Sequence, residues 1–279
     1  ILNIKSSLLR ACYQGKYLET IANIIIGRHK KLLTSIKTND LVNETISEDE
    51  EIDSAIAKIK KQIGGDMFVS LSDQVCNITI NMIKEDLKSF GVVFDHWYSE
   101  RSLINKGLIT TSVDALNKKN LIYKKEGASW LKTTDFDDDK DRVVLRDDGR
   151  STYFASDIAY HAEKKQRGYK QLINILGSDH HGYINRLKAG LACLDFSPKD
   201  LEVVLIQFVS LYRGTKKVKM STRSGEFTPM SELYHEVGVD AARFFYISKS
   251  HKQHLNFDLE LAKQTNNDNP VYYIQYAHA

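Results

Sequence analysis

The run Gln171–Leu176, "QLINIL", passes directly into Gly177-Ser178-Asp179-His180-His181-Gly182 and then into "YINRLKAGLACL". A short apolar run, a glycine-bounded polar turn and a helical stretch make a strand-to-helix unit. The same texture precedes it, where "STYFASDIAYHAEKK" reads as strand into helix, and follows it, where "LEVVLIQFVSLYRG" reads as one long buried strand. Alternating units with near-continuous apolar strands predict an α/β fold on a parallel sheet covered on both faces. In open parallel sheets ligands sit beyond the carboxyl ends of strands, where helix starts offer unpaired N–H groups. The residues at those ends are therefore the first place to look for chemistry.

The remainder of the chain differs in rhythm. Residues 1–90 read as helices: Leu18, Ile21 and Ile25 share a face, as do Ile52, Ile56, Ile59 and Ile63, and Leu71, Val75, Ile78 and Met82 repeat the spacing. "TNDLVNETISEDEEI" reads as a loop entering an acidic helix start, and "GVVFDHWY" as a strand. Between residues 100 and 150, "GLIT", "NLIYKKEGASWLKTT" and "DRVVLRDDGR" read as short strands of a small inserted sheet, with a hairpin turn at Asp148-Gly149. The tail after "GEFTPMSELYHEVGVDAARFFYISKS" reads as helical, with a new start at Pro270.

Composition excludes some classes. With 42% hydrophobic and 27% charged residues the chain is a folding one, and no apolar run approaches the roughly 20 residues that span a bilayer. "ILNIKSSLLR" is too short and polar for a signal peptide. Cys12, Cys76 and Cys193 are odd in number and form no CxxC pair, which fits reduced thiols in a cytoplasmic protein. A net charge of +3 neither demands nor excludes a nucleic-acid partner. Ile1 in place of a methionine and the uncapped "VYYIQYAHA" ending are read as marks of a piece cut from a longer protein.

Three stretches can carry chemistry. In Gly177–Gly182, glycine lets a ligand approach the backbone, Asp179 can accept from ribose hydroxyls or a base, and His180 and His181 can stack on a purine or donate to phosphate. The plainer alternative is a helix cap by Asp179 with exposed histidines. A metal site is a third reading, though adjacent histidines are poor spacing without a third ligand. In "YFASD", a helix start favours the charged form of Asp157, and a carboxylate with the Tyr153 phenol four residues earlier suits a cation. A guanidinium is the best match, since it pairs bidentately with a carboxylate and lies against a ring. Here the alternative is a cap with Tyr153 in the core. In "KKVKMSTRSG", Lys219, Ser221 and Arg223 can all reach phosphates, against the alternative of a solvated basic turn. The acidic tip "DFDDDKD" is a solvated hairpin end or a weak Mg²⁺ or Ca²⁺ attractor, and "HAEKKQRGYK" is solvent surface or an RNA contact.

Taken in order, these pieces resemble the arginyl-tRNA synthetases of class I. "VKMSTRSGEF" resembles the KMSKS loop, "YFASDIAYH" the strand–helix segment for the amino acid, and "LGSDHHGYI" the ATP-side segment. "FDHWYSERSL" resembles the strand before the insertion, and "YQGKYLETIA" and "NPVYYIQYAHA" fit as well. The resemblance implies a Rossmann-like parallel sheet, incomplete, forming the second half of the nucleotide-binding fold. It divides the chain into a partial catalytic domain at 1–248 and the start of a helical anticodon-binding domain at 249–279. Within the first, helices cover 1–90, the β-rich insertion about 100–150 and the Rossmann half 151–228, with helices to 248.

It further implies ATP-dependent activation of L-arginine to arginyl-AMP and transfer to the 3′ end of tRNA(Arg), by a cytoplasmic enzyme that is monomeric at full length. Tyr153, Asp157 and His180 would hold arginine; Gly177, Asp179 and His181, with Lys219 and Met220, would hold ATP; Lys219, Ser221 and Arg223 would act on the leaving pyrophosphate. Mg²⁺ is expected with ATP, with no protein metal site and no organic cofactor. Thr222 and Arg223 stand where the class pattern has lysine then serine, so Arg223 or Lys216 and Lys217 would supply the second charge. The HIGH motif is absent from the sequence, which implies little activation by this chain alone. The alternatives are another nucleotidyl-transferring enzyme of the same fold and a non-catalytic RNA- or partner-binding remnant.

Overall fold

The computed structural model describes residues 15–37, 41, 47–218 and 228–279. In chain order its elements are α1 (Lys16–Ser35), α2 (Glu48–Ile63), α3 (Gly65–Ser89), α4 (Arg101–Asn105) and α5 (Leu108–Lys118), then β1 (Ile122–Lys125), β2 (Ala128–Leu131), β3 (Arg142–Leu145) and α6 (Tyr153–Gln166). There follow β4 (Leu172–Gly177), α7 (Ile184–Ala192), β5 (Leu201–Ile206), β6 (Val209–Arg213), β7 (Lys216–Lys217), α8 (Met230–Val237), α9 (Val239–Ile247), β8 (Leu255–Asp258), α10 (Leu259–Lys263) and α11 (Pro270–His278). Two compact units divide the chain: Ile1–Val93 with Ser210–Tyr246 and Asn256–Ala279, and Phe94–Val209 with Ile247–Leu255.

In the first unit the three long helices lie where their periodicity predicts. Ser47 and Glu50 start α2 with a reciprocal capping box, which satisfies two orphan N–H groups. Ile21 and Ile25 are buried as expected, whereas the Ile52–Ile63 row is only half-buried. Strands β7, β6 and β8 form one sheet in that order. Phe257 of β8 is fully buried and stacks on Phe245 of α9 at 5.1 Å between ring centroids.

In the second unit β1, β2 and β3 make an antiparallel sheet with β2 at its centre. The turn at Asp148-Gly149 closes as its sequence demands, with Gly149 at φ 81° and Arg146 N–H donating to Arg150 O at 2.8 Å. After it Ser151 makes one bridge to Leu145, and Thr152 at once caps α6, its Oγ1 accepting from Ala155 N–H. Leu131, Val144, Leu103, Leu116 and Ile158 bury together there, each contributing about 1.5–3 kcal/mol. The parallel pair β4–β5 runs in register from Leu172↔Leu201 to Gly177↔Ile206 around α7, a βαβ unit. Leu187 and Leu191 of α7 seal Leu172 and Leu201.

Several expectations are corrected. "GVVFDHWY" forms no strand; Phe94 and Trp97 pack edge to face in irregular chain. "GLIT" enters α5, because Ile109, Ser112 and Leu116 place a helical stripe on the core that the short β-like window hides. Ser151 is a single bridge and Thr152 a cap rather than a strand, and Tyr153 already opens α6. "LEVVLIQFVSLYRG" is two strands in different sheets, broken at Gln207-Phe208, where Gln207 N–H donates to His251 O. Among the described residues only one face of β4–β5 is covered: Ile173 and Ile175 are 58% and 70% exposed. The acidic tip is not free. Arg142 and Asp138, 10% and 2% exposed in their side chains, pair at 2.7 Å, and Arg142 holds the Asp138 carboxyl far below its usual range. Asp139 bonds the same guanidinium.

Candidate functional site

Helix α6 divides its faces by spacing. Phe154, Ala155, Ile158, Ala159 and Ala162 turn to the core, while Tyr153, Asp157, Tyr160 and Lys164 recur at four- and three-residue steps along another line. Tyr153, Asp157 and Tyr160 thereby line a cleft of about 570 Å³, closed by Glu100, Leu103 and Ser156 and by His180, Tyr183 and Arg186 from the turn and helix after β4. Gly190 lets α7 approach this closely: a Cβ there would lie 2.8 Å from Ile158 Cδ1 and 2.9 Å from Phe154 Cζ.

Asp157 does not cap α6, since Thr152 does; its carboxylate instead accepts the Tyr183 phenol. Burial first, and this bond second, push the Tyr183 phenol upward and keep it protonated. The Arg186 guanidinium lies 5.3 Å from the Tyr183 ring centroid, and its buried Nε has no hydrogen-bond partner among the described residues. Below Asp157, His161 donates from Nδ1 to Asp157 O at 2.7 Å and accepts from Asn174 Nδ2 at Nε2 at 2.8 Å, tying α6 to β4. Burial, then the Lys164 charge, lower the His161 pKa, so its ring is neutral. Tyr160 stacks on Tyr98 at 4.4 Å between centroids, and Lys164 Nζ lies over the Tyr160 ring at 4.2 Å from its centroid.

The structure thus brings Tyr153, Asp157 and His180 to one cleft. Tyr153 is 80% exposed, so it is not a core residue. Gly177, Asp179 and His181 sit at the end of β4 and outside the cleft lining. Asp179 makes no cap; its carboxylate is 3.8 Å from His180 Nε2 and occupies the space a Cβ on Gly177 would need. Lys219, Met220, Ser221 and Arg223 lie outside the described residues; Lys216 and Lys217 are exposed in β7. The basic stretch 161–170 ends on the surface, with residues 166–170 exposed, while Lys165 pairs with Asp200 at 2.6 Å and Arg167 with Glu163 at 3.0 Å. Sequence reasoning missed Glu100, Tyr160, Tyr183 and Arg186. The α6 spacing signals Tyr160; nothing local signals a bond from Tyr183 to a residue 26 positions away.

A second cavity, about 450 Å³, lies in the other unit between the α8–α9 turn and residues 262–275 and carries none of these side chains. Among the described residues no three His, Cys, Asp or Glu could hold a metal ion, and no helix is long and apolar enough to cross a membrane.

An arginine–tRNA ligase of Hydrogenovibrio crunogenus is 51% identical over 237 residues, 85% of this chain and 40% of the relative. One from Thioalkalivibrio sulfidiphilus is 47% identical over 96% of this chain and 47% of its own length. The chain therefore spans less than half the length of these curated relatives. A crystal structure of a candidate arginyl-tRNA synthetase from Campylobacter jejuni superposes with a TM-score of 0.73 at 35% identity, over 93% of this chain and 57% of that one. The arginyl-tRNA synthetase of Plasmodium falciparum shares the fold at 13% identity and a TM-score of 0.63, over 98% of this chain and 48% of that one. The family described as "tRNA synthetases class I (R), catalytic domain" matches residues 24–266. With Tyr153, Asp157 and His180 on one cleft of an α/β scaffold, this chain belongs to the class I (R) tRNA synthetase catalytic-domain family.

Proposed function

We propose that the chain is the amino-acid-binding part of an arginine–tRNA ligase, which activates L-arginine with ATP to arginyl-AMP and transfers it to the 3′ end of tRNA(Arg). The observation that carries this reading is the meeting of Asp157, Tyr153 and Glu100 in one cleft. Two carboxylates and an exposed phenol suit a planar cation with several N–H donors. A guanidinium matches a carboxylate bidentately and lies against a ring, whereas an ammonium offers only a point charge. His180 adds a polar group on the same wall.

In this reading β4–α7–β5 belongs to the second half of a Rossmann-like nucleotide-binding fold, the strands whose carboxyl ends face ligand. Gly177, Asp179 and His181 lie at such an end and take the adenosine side. Lys219, Met220, Ser221 and Arg223 cover the phosphates, where their charge and N–H groups would act on the negative charge that builds as pyrophosphate leaves. Mg²⁺ enters only as the counter-ion of ATP. The whole enzyme acts as a cytoplasmic monomer.

Calorimetric titration of the chain with L-arginine and L-lysine, repeated with Asp157→Asn, tests the reading. Arginine should bind over lysine, and Asp157→Asn should weaken it at least about thirtyfold, the lower bound for breaking a hydrogen-bonded charge pair. A folded wild-type chain with no preference for arginine would refute the assignment.

A further inference from the structure

A carboxylate that reads a guanidinium must hold one plane, and an aspartate terminal torsion is broad when nothing fixes it. Asp157 stands on the cleft side of α6, with no cap role. Tyr183 reaches it from the turn before α7 and donates its phenol to Oδ2, and among the described residues no hydrogen-bond donor reaches Oδ1. The donor is itself constrained. Its ring carries the Arg186 guanidinium at 5.3 Å, and the turn that bears it is carried against α6 by the close approach at Gly190. Tyr183 packs its ring against the core, and both it and Arg186 line the cleft, so the brace reaches from the core to the ligand site.

We infer that Tyr183 is the positioning residue that sets the plane of the Asp157 carboxylate and turns Oδ1 toward the incoming guanidinium, with Arg186 holding the phenol ring in place. The inference rests on the arginine reading of the cleft. Tyr183 touches the reading carboxylate and acts through it. It spends one carboxylate oxygen so that the other is presented in a fixed direction, and a preorganised acceptor loses less freedom on binding.

The test compares the wild-type chain with Tyr183→Phe and Arg186→Met, using calorimetric affinities for L-arginine and for L-citrulline, whose uncharged head has nearly the same shape. Thermal melting of each variant checks the fold. Tyr183→Phe keeps the ring on which Arg186 lies and removes only the hydroxyl. Arginine affinity should fall about tenfold or more, the size expected for a lost hydrogen bond to a charged group, while citrulline affinity stays within about twofold. Arg186→Met keeps the hydroxyl and loosens the ring, so the arginine-to-citrulline ratio should fall by about two- to fivefold.

A brace that merely ties α6 to the turn would weaken both ligands alike. An equal fall for both, or an unchanged ratio in a folded Tyr183→Phe chain, overturns the positioning role and leaves the arginine reading intact. If Tyr183→Phe does not fold, an unchanged ratio in folded Arg186→Met overturns it instead. A wild-type chain that binds arginine and citrulline equally overturns both the role and the reading beneath it.

Discussion

Replacing Gly190 by alanine should destabilise the unit that carries the cleft, although alanine is the better helix former. The added Cβ would lie 2.8 and 2.9 Å from Ile158 Cδ1 and Cγ1 and 2.9 Å from Phe154 Cζ. Ordinary carbon contacts sit at about 3.5–4.0 Å, so the shortfall is roughly 0.6–1.2 Å. Ile158 and Phe154 are 1% and 5% exposed and have nowhere to retreat, so α7 must shift off α6. Overpacking of this kind costs about 1–3 kcal/mol, offset by up to about 1 kcal/mol of helix propensity. Subtracting the full offset leaves a loss of up to about 2 kcal/mol, centred near about 1 kcal/mol, or roughly 2–4 °C of melting temperature in a chain of this size. Gly27 of α1 supplies the internal control, because no described residue lies within 4 Å of its added Cβ. Gly27→Ala should therefore gain up to about 1 kcal/mol. Circular-dichroism melting of both variants reads the two signs. A Gly190→Ala chain stabilised as much as Gly27→Ala would refute the close-packing account of how α7 is brought to α6.

Thr152→Ala should cost about 1 kcal/mol in urea denaturation, because Thr152 Oγ1 both accepts from Ala155 N–H and donates to Val143 O at 2.8 Å. Arg142→Met should cost about 3 kcal/mol or more in the same assay, because it leaves the buried Asp138 carboxylate without its partner. His161 makes stability depend on pH. Burial and Lys164 lower its folded pKa below the unfolded value of about 6.5, so the unfolded chain takes up a proton that the folded one refuses. The His161 contribution is full above that value and is lost as pH falls toward the folded pKa. Melting between about pH 7 and pH 5 should show a decline that His161→Gln flattens.

Long-range bonds and short β-like windows mark the limit of what the sequence disclosed. Helices α1–α3 were legible because their apolar spacing persists over many turns, and the β4-turn-α7 unit because glycine and polar residues punctuate it. "GLIT" misled because four residues cannot distinguish a strand from the first turn of a helix whose stripe continues to Leu116. "LEVVLIQFVSLYRG" misled because apolarity says nothing of the break at Gln207, which depends on His251. Within the site, Tyr153 and Asp157 were legible as one turn of one helix. Tyr183 and Arg186 were not, since their meaning lies in contacts with Asp157 and with each other. Asp138 looked like a solvated acid because its Arg142 partner shows only in three dimensions.

The central claim is that the cleft on α6 takes a guanidinium. A crystal structure of the chain grown with saturating L-arginine tests it most directly. The account predicts the guanidinium against Asp157, with the Tyr153 phenol beside it and Tyr183 still bonded to the same carboxylate. An ordered arginine with its guanidinium elsewhere, or an empty cleft in a crystal saturated with arginine, would contradict it.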